Sequence, residues 1–190
     1  MDEADAGQVT QLLQRYSAGD ARSLDQVVAL VYADLQRLAR QQLRRSQVGQ
    51  RVQTTVLVHE AYEKLVDGKV SAVSDRRHFF AIAARAMRQI VVDTYRADHA
   101  AKRGGGRFAV TLTAQDFGDL DDPLQIVHTH RALEALAEQS PELAELVDLS
   151  CFAGLDTGQI AELSESNVRT VQRKLKRAEL WLAHFLSSQR

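Results

Sequence analysis

The residue types that carry out bond chemistry occur in this chain only as fragments of known arrangements. His59-Glu60-Ala61-Tyr62-Glu63 begins like a zinc-protease helix, in which two histidines four apart hold the metal, but Glu63 stands where the second histidine belongs. His128 and His130 are two positions apart, so a helix points them to different faces. Lys102-Arg103-Gly104-Gly105-Gly106 is basic and glycine-rich, yet it lacks the lysine-serine/threonine ending of a phosphate loop. The single cysteine, Cys151, excludes an internal disulfide and any multi-cysteine metal site. Its apolar neighbours predict a buried thiol in a reducing compartment. With no complete nucleophile-base pair or ligand set, the sequence predicts no catalytic residues, no metal and no cofactor.

Cations are the more informative group. The formal net charge is only -1, with hydrophobic residues at 45% and charged residues at 26%, as in an ordinary folded protein. The distribution is uneven: Arg85 to Arg107 holds six basic and two acidic residues, and Asn167 to Ala178 holds five basic residues and no acid. Between them lies an acidic patch, Asp116, Asp119, Asp121 and Asp122. Two basic stretches separated by an acidic one fit a chain with two nucleic-acid-facing surfaces. No long apolar run suggests a membrane span, and Met1 to Gly7 carries three acids and no apolar segment, unlike a secretory signal. The expected location is the cytoplasm.

The elements that must position these residues read as helices almost throughout. Val9, Leu12, Leu13 and Tyr16 form a short apolar stripe ending at Gly19. A longer stripe runs through Leu24, Val27, Val28, Val31, Leu35, Leu38, Ala39 and Leu43 at spacings of three and four. A third helix starts near Thr54 or Thr55, either of which can cap it, and stops at Gly68. Ser74 or Asp75 can cap a long fourth helix carrying Phe79, Ile82, Ala83, Ala86, Ile90 and Val91. Three glycines at 104–106 end it. Residues 107–121 read as an acidic flexible linker, although Val110 to Thr113 has some strand character. Beyond it, Asp122-Pro123-Leu124-Gln125 and Ser140-Pro141 are cap-plus-proline signals, predicting helices near 123–138 and 141–153. Gly154 breaks the latter. Asp156-Thr157-Gly158-Gln159 is a capping box for a short helix over about 157–163, and a final helix runs from about Asn167 to Leu186. The predicted fold is all-α: two small helical domains, 8–106 and 122–188, joined by the linker.

The last two helices form a helix-turn-helix pattern. Ile160, Ala161 and Leu163 face inward from the first, and Val171, Leu175, Ala178 and Leu182 from the second. Arg169, Gln172, Arg173, Lys176 and Arg177, with Thr170 and Lys174 beside them, are left for the exposed surface. A helix of this kind fits the major groove of duplex DNA, and its arginines offer bidentate contacts.

Three further motifs carry a more specific resemblance. Val56-Leu57-Val58-His59-Glu60-Ala61-Tyr62, then His78-Phe79-Phe80-Ala81-Ile82-Ala83-Ala84-Arg85-Ala86-Met87-Arg88, then Lys102-Arg103-Gly104-Gly105-Gly106 occur in order. Together with Gln159 to Leu163 and Arg169 to Arg173, they resemble one subgroup of the extracytoplasmic-function sigma factors, over about residues 8–186. The resemblance implies a factor that directs core RNA polymerase to promoters. It implies that Leu57, His59, Glu60 and Tyr62 lie against the clamp helices of the largest polymerase subunit. Arg85, Arg88, Arg96, His99, Lys102 and Arg103 would face the melted upstream promoter element. Arg169, Thr170, Gln172, Arg173, Lys176 and Arg177 would read duplex DNA farther upstream. An anti-sigma factor or a Ser/Thr kinase is a regulator that such a factor would accept. The alternative from a different class is a helix-turn-helix transcription regulator that binds duplex DNA without becoming a polymerase subunit.

The chain departs from the family pattern at two places. Gln53-Thr54-Thr55-Val56 is uncharged where sigma factors commonly carry an acidic cluster, which removes attraction to basic clamp residues. Phosphorylation of Thr55, or as second choice Thr54, would restore negative charge at a helix N-terminus, where it is favourable. In the turn before the last helix, Glu165 stands where glycine is common, and a left-handed glutamate costs about 1–2 kcal/mol. Ser166 replaces a residue that is usually apolar, and Val168 one that is usually polar.

Overall fold

The computed structural model describes residues 3–45, 52–67, 73, 75–102 and 123–188. Among these residues there are eight α-helices, one π-helical turn and no strand, so the all-α expectation holds. The predicted linker at 107–121, with its strand-like Val110 to Thr113, and the cap at Asp122 lie outside the described residues.

Helix α1 (Glu3–Ser17) buries Val9, Leu12 and Leu13, and α2 (Arg22–Arg45) buries Leu24, Val27, Val31, Leu35, Leu38, Ala39 and Leu43. The turn between them is fixed by Asp20, which accepts from Arg15 at 2.6 Å and from the buried Ser23 hydroxyl at 2.7 Å. Helix α3 (Thr54–Asp67) packs through Leu57, Val58, Ala61 and Leu65. Neither threonine caps it: the Gln53 carbonyl accepts the first helical bond, from Leu57 N at 3.0 Å, so Thr54 and Thr55 already belong to the first turn. Helix α4 (Arg76–Lys102) is capped by Asp75, whose carboxylate accepts from His78 N at 2.8 Å.

Helix α5 (Pro123–Gln139) contributes Ala132, Leu133 and Leu136 to the interior. Helix α6 (Pro141–Val147) begins at a proline, as predicted, although the Ser140 side chain makes no capping hydrogen bond. The helix expected to reach 153 instead widens into a π-helical turn over Asp148–Phe152, with Ala153 N bonded to the Asp148 carbonyl at 2.8 Å. Cys151 in this turn is half-buried rather than enclosed. Gly154, at φ 65, ends it. Helices α7 (Thr157–Leu163) and α8 (Val168–Ser188) follow.

The buried apolar side chains form one continuous cluster from Val9 to Leu182. Helix α4 is the common element, packing on α1, α2 and α3 on the N-terminal side and on α5, α6 and the π turn on the C-terminal side.

Candidate functional site

The sequence α7-turn-α8 is built almost entirely from local hydrogen bonds. Asp156 accepts from Gln159 N at 2.8 Å and Gln159 returns the bond by accepting from Asp156 N at 3.0 Å, the reciprocal box expected from the sequence. At the other end, Ser166 N donates to the Ala161 carbonyl at 2.9 Å and Glu165 N to the Glu162 carbonyl at 3.2 Å. This pair of bonds is a Schellman ending, with Glu165 in the left-handed position at φ 47. Ser166 then occupies the place where an apolar side chain normally packs back onto the helix, and it is exposed. Asn167, which sequence reasoning did not recognise as a cap, fixes the start of α8 by accepting from Thr170 N at 2.8 Å.

Val171, Ala178 and Leu182 seat α8 on the interior, with Leu175 half-buried. Arg169, Gln172, Arg173, Lys176 and Arg177 are exposed, and Thr170 is half-buried at their edge. Lys176 pairs with Glu179 on the same helix at 3.0 Å, and Lys174 is tied to Glu142 of α6. The exposed face therefore presents arginines, an amide and one lysine on a helix whose first turn carries no acid.

A second surface lies between α2 and α3. Asp25, Val28, Ala29 and Tyr32 from α2 and Thr55, Val58, His59 and Tyr62 from α3 line an open groove of about 390 Å³. Tyr62 donates its hydroxyl to Asp25; that bond to a carboxylate, with partial burial and the negative charge, raises the phenol above its ordinary range. His59 is exposed, 3.3 Å from Glu63, and Glu60 is also exposed. Tyr32 and Val56 add exposed apolar surface. Leu57 is corrected from a partner-facing residue to a core residue: at 0% exposure it anchors α3 from behind. Its neighbour Val56, at 43%, is the outward apolar side chain.

The third set lies on α4, and the arrangement differs most from expectation there. Arg96 is exposed, with Asp93 at 3.7 Å. Arg85 pairs with Glu134 of α5. Arg88 is only 2% exposed and so does not face solvent, as a promoter-contacting residue would. Its guanidinium donates to Asp148 Oδ1 at 3.0 Å, lies 3.4 Å from Glu134 Oε1, and sits 5.3 Å above the ring of Phe152. It also donates to Nδ1 of His130, which requires that nitrogen to be unprotonated, since arginine is always a donor. Burial and the adjacent Arg88 charge push His130 down to about 4, so the ring is neutral. Burial raises Asp148 above the usual carboxylate range, with Arg88 opposing the shift. Burial also acts to raise Glu134, but its bonds and charges from Arg85 and Arg88 prevail and hold it low. In the first turn of α4, Arg77 and His78 lie 3.4 and 3.6 Å from Glu145 of α6.

Sequence reasoning missed Asp148, His130 and Glu134 as partners. A signal was present: Ala81, Ala84, Arg88, Val91 and Tyr95 fall at helical spacing, which puts Arg88 inside an apolar stripe. His99 and Lys102 belong to the last turns of α4, while Arg103 lies outside the described residues. No group of three or more metal-ligating side chains converges among the described residues, and no helix among them is long and apolar enough to cross a membrane.

No curated protein and no solved structure shows significant similarity to this chain. The model of the ECF sigma factor family, by contrast, matches residues 6–188. With that span covering the α2-α3 groove, the basic helix α4 and the capped α7-turn-α8 alike, the chain belongs to the extracytoplasmic-function sigma factors of RNA polymerase.

Proposed function

We propose that this factor docks on core polymerase through the α2-α3 groove and reads upstream duplex promoter DNA with α8. The observation that carries the DNA reading is the outward face of α8, where Arg169, Gln172, Arg173 and Arg177 stand exposed on a helix fixed at its start by Asn167. Arginine and glutamine are side chains that can address base edges as well as phosphates. Docking would use His59, Glu60 and Tyr62 around an apolar floor, with Val56 and Tyr32 at the rim and Leu57 holding the helix in place. Arg85, Arg96, His99, Lys102 and Arg103 are the residues we propose for the melted promoter strand, and Arg88, buried here against Asp148, would join them only once that pair is released. The factor would supply recognition and no bond chemistry of its own.

Thr55 is the residue we propose as a control point, ahead of Thr54. It is exposed, lines the groove, and lies in the first turn of α3, where no acidic residue is present. A phosphate there would meet the positive end of the helix dipole and add charge beside the docking surface. A Ser/Thr kinase is the regulator this site fits.

Reconstitution tests the main reading. Purified factor should form a stoichiometric complex with core polymerase and support promoter-dependent transcription, and Arg169→Ala/Arg173→Ala should abolish initiation while leaving that complex intact. Duplex binding without any complex with core would identify a conventional DNA-binding regulator instead.

A further inference from the structure

Among the described residues, five pairs within ion-pair distance join α4 to the C-terminal helices, with the basic groups on α4 and the carboxylates opposite. Arg77, Arg85 and Arg88, with the imidazole of His78, come from α4, while the carboxylates Glu134, Glu145 and Asp148 come from α5, α6 and the π turn. The centre of this seam is dry: Arg88 and Asp148 are 2% and 3% exposed. A buried ion pair is a poor choice for stability alone, since well-packed apolar residues of similar volume serve as well or better. What it provides is a specific, exchangeable contact, because a guanidinium that donates to carboxylates can donate to phosphate oxygens in the same geometry.

We propose that this arrangement is a closed form of the factor, in which Glu134 and Asp148 occupy Arg85 and Arg88 and so keep α4 from the promoter strand. The gating role rests on the reading of α4 as a DNA-facing helix; the closure itself does not. Opening would separate α4 from α5 and the π turn, exchanging two carboxylates for DNA phosphates. His130 fits this role as a neutral acceptor, completing the arginine's hydrogen bonds without adding charge. Beside the seam, Asp34, Arg37, Arg76 and Phe80 face Leu155 and Glu162 across an open cleft of about 210 Å³.

The closed form leaves the other two surfaces accessible. None of the residues lining the α2-α3 groove takes part in the seam, and the outward side chains of α8 stay exposed. Closure is therefore selective: it withholds single-strand binding by α4 while permitting polymerase docking and duplex contact by α8.

The test compares the full chain with Glu134→Gln/Asp148→Asn, which removes both charges and keeps the side-chain shapes. Small-angle scattering should show a compact wild type and a larger radius of gyration for the variant. The variant should bind a mixed-sequence single-stranded oligonucleotide at least tenfold more tightly at low salt, with duplex affinity changed less than twofold. If the double variant loses helicity, Glu134→Gln alone carries the comparison, since Glu134 is partly exposed. An equally compact variant with unchanged single-strand affinity, or a wild type already extended in solution, overturns closure. Expansion without tighter single-strand binding overturns gating by α4, and a positive polymerase reconstitution would then leave the sigma-factor reading standing.

Discussion

Replacing Glu165 with glycine separates backbone strain from charge in the turn that presents α8. Glu165 sits at φ 47 as the left-handed residue of the Schellman ending. An L-residue in that conformation costs about 1–2 kcal/mol relative to the right-handed form. Glycine removes that strain but gives the unfolded chain more freedom, a loss of about 0.4–1 kcal/mol. The difference favours Glu165→Gly by about 0–1.6 kcal/mol, which for a chain of this length raises Tm by up to about 6 °C. The charge has a separate effect. Glu165 lies just before α8, the helix proposed to read duplex DNA, so removing its charge should strengthen duplex binding several-fold at low salt and much less at high salt. Glu165→Gln supplies the control, because it removes the charge and keeps the strained side chain. Thermal unfolding followed by circular dichroism and duplex titration at two salt concentrations measure both effects. Glu165→Gly should gain stability and affinity, whereas Glu165→Gln should gain affinity alone. A Glu165→Gly protein less stable than wild type by about 1 kcal/mol or more would refute the strain argument.

Three other outcomes follow from the same geometry. Arg88→Met leaves Asp148 without its cation and should destabilise the closed arrangement by up to about 3–5 kcal/mol, whereas Arg88→Met/Asp148→Leu should recover most of that loss; an additive double variant in urea unfolding would show that the two residues are not coupled. His130 is held at about 4 in the folded chain against an ordinary 6.5, so the unfolded chain takes up the proton first. Stability should be complete above about pH 6.5 and fall as the pH approaches 4. Asp148, raised by burial, contributes with the opposite sign in the acid range, so the comparison is made with His130→Gln, which should flatten the decline between those limits. Thr55→Glu should tighten binding to core polymerase without altering helicity, and unchanged affinity in a titration against purified core would remove charge at this position as a control.

Local chemistry explains what was legible in the sequence. Asp75 and the Asp156-Gln159 box start their helices through bonds that span three residues, so a short window contains the whole cause. Ser140-Pro141 marked a true helix start although the hydroxyl makes no bond, because the proline itself favours the first turn. The π turn was not legible. Its extra residue per turn falls where Asp148 meets Arg88 and Phe152 lies under the guanidinium, partners about sixty positions away in the chain. The exposed α8 face could be read from periodicity, but the difference between Arg85 and Arg88 could not be read from residue type. It follows from which of the two falls on the stripe that packs against the C-terminal helices.

That same difference bears on how a closed form can also be a usable one. An apolar seam of equal extent would gain about 25 cal/mol for each Å² removed from water, and opening would forfeit all of it. An ionic seam behaves otherwise, since the desolvation of Arg88 and Asp148 is recovered when they return to water, offsetting much of the lost attraction. Phosphate then replaces carboxylate at the arginine, so the opened state has a partner of the same charge and geometry. Around this exchangeable centre, Leu133, Leu149 and Phe152 keep apolar packing beside the seam, which holds the closed form when no DNA is present. The buried charges make the contact specific and reversible, and the apolar residues around them set how far the balance lies toward closure.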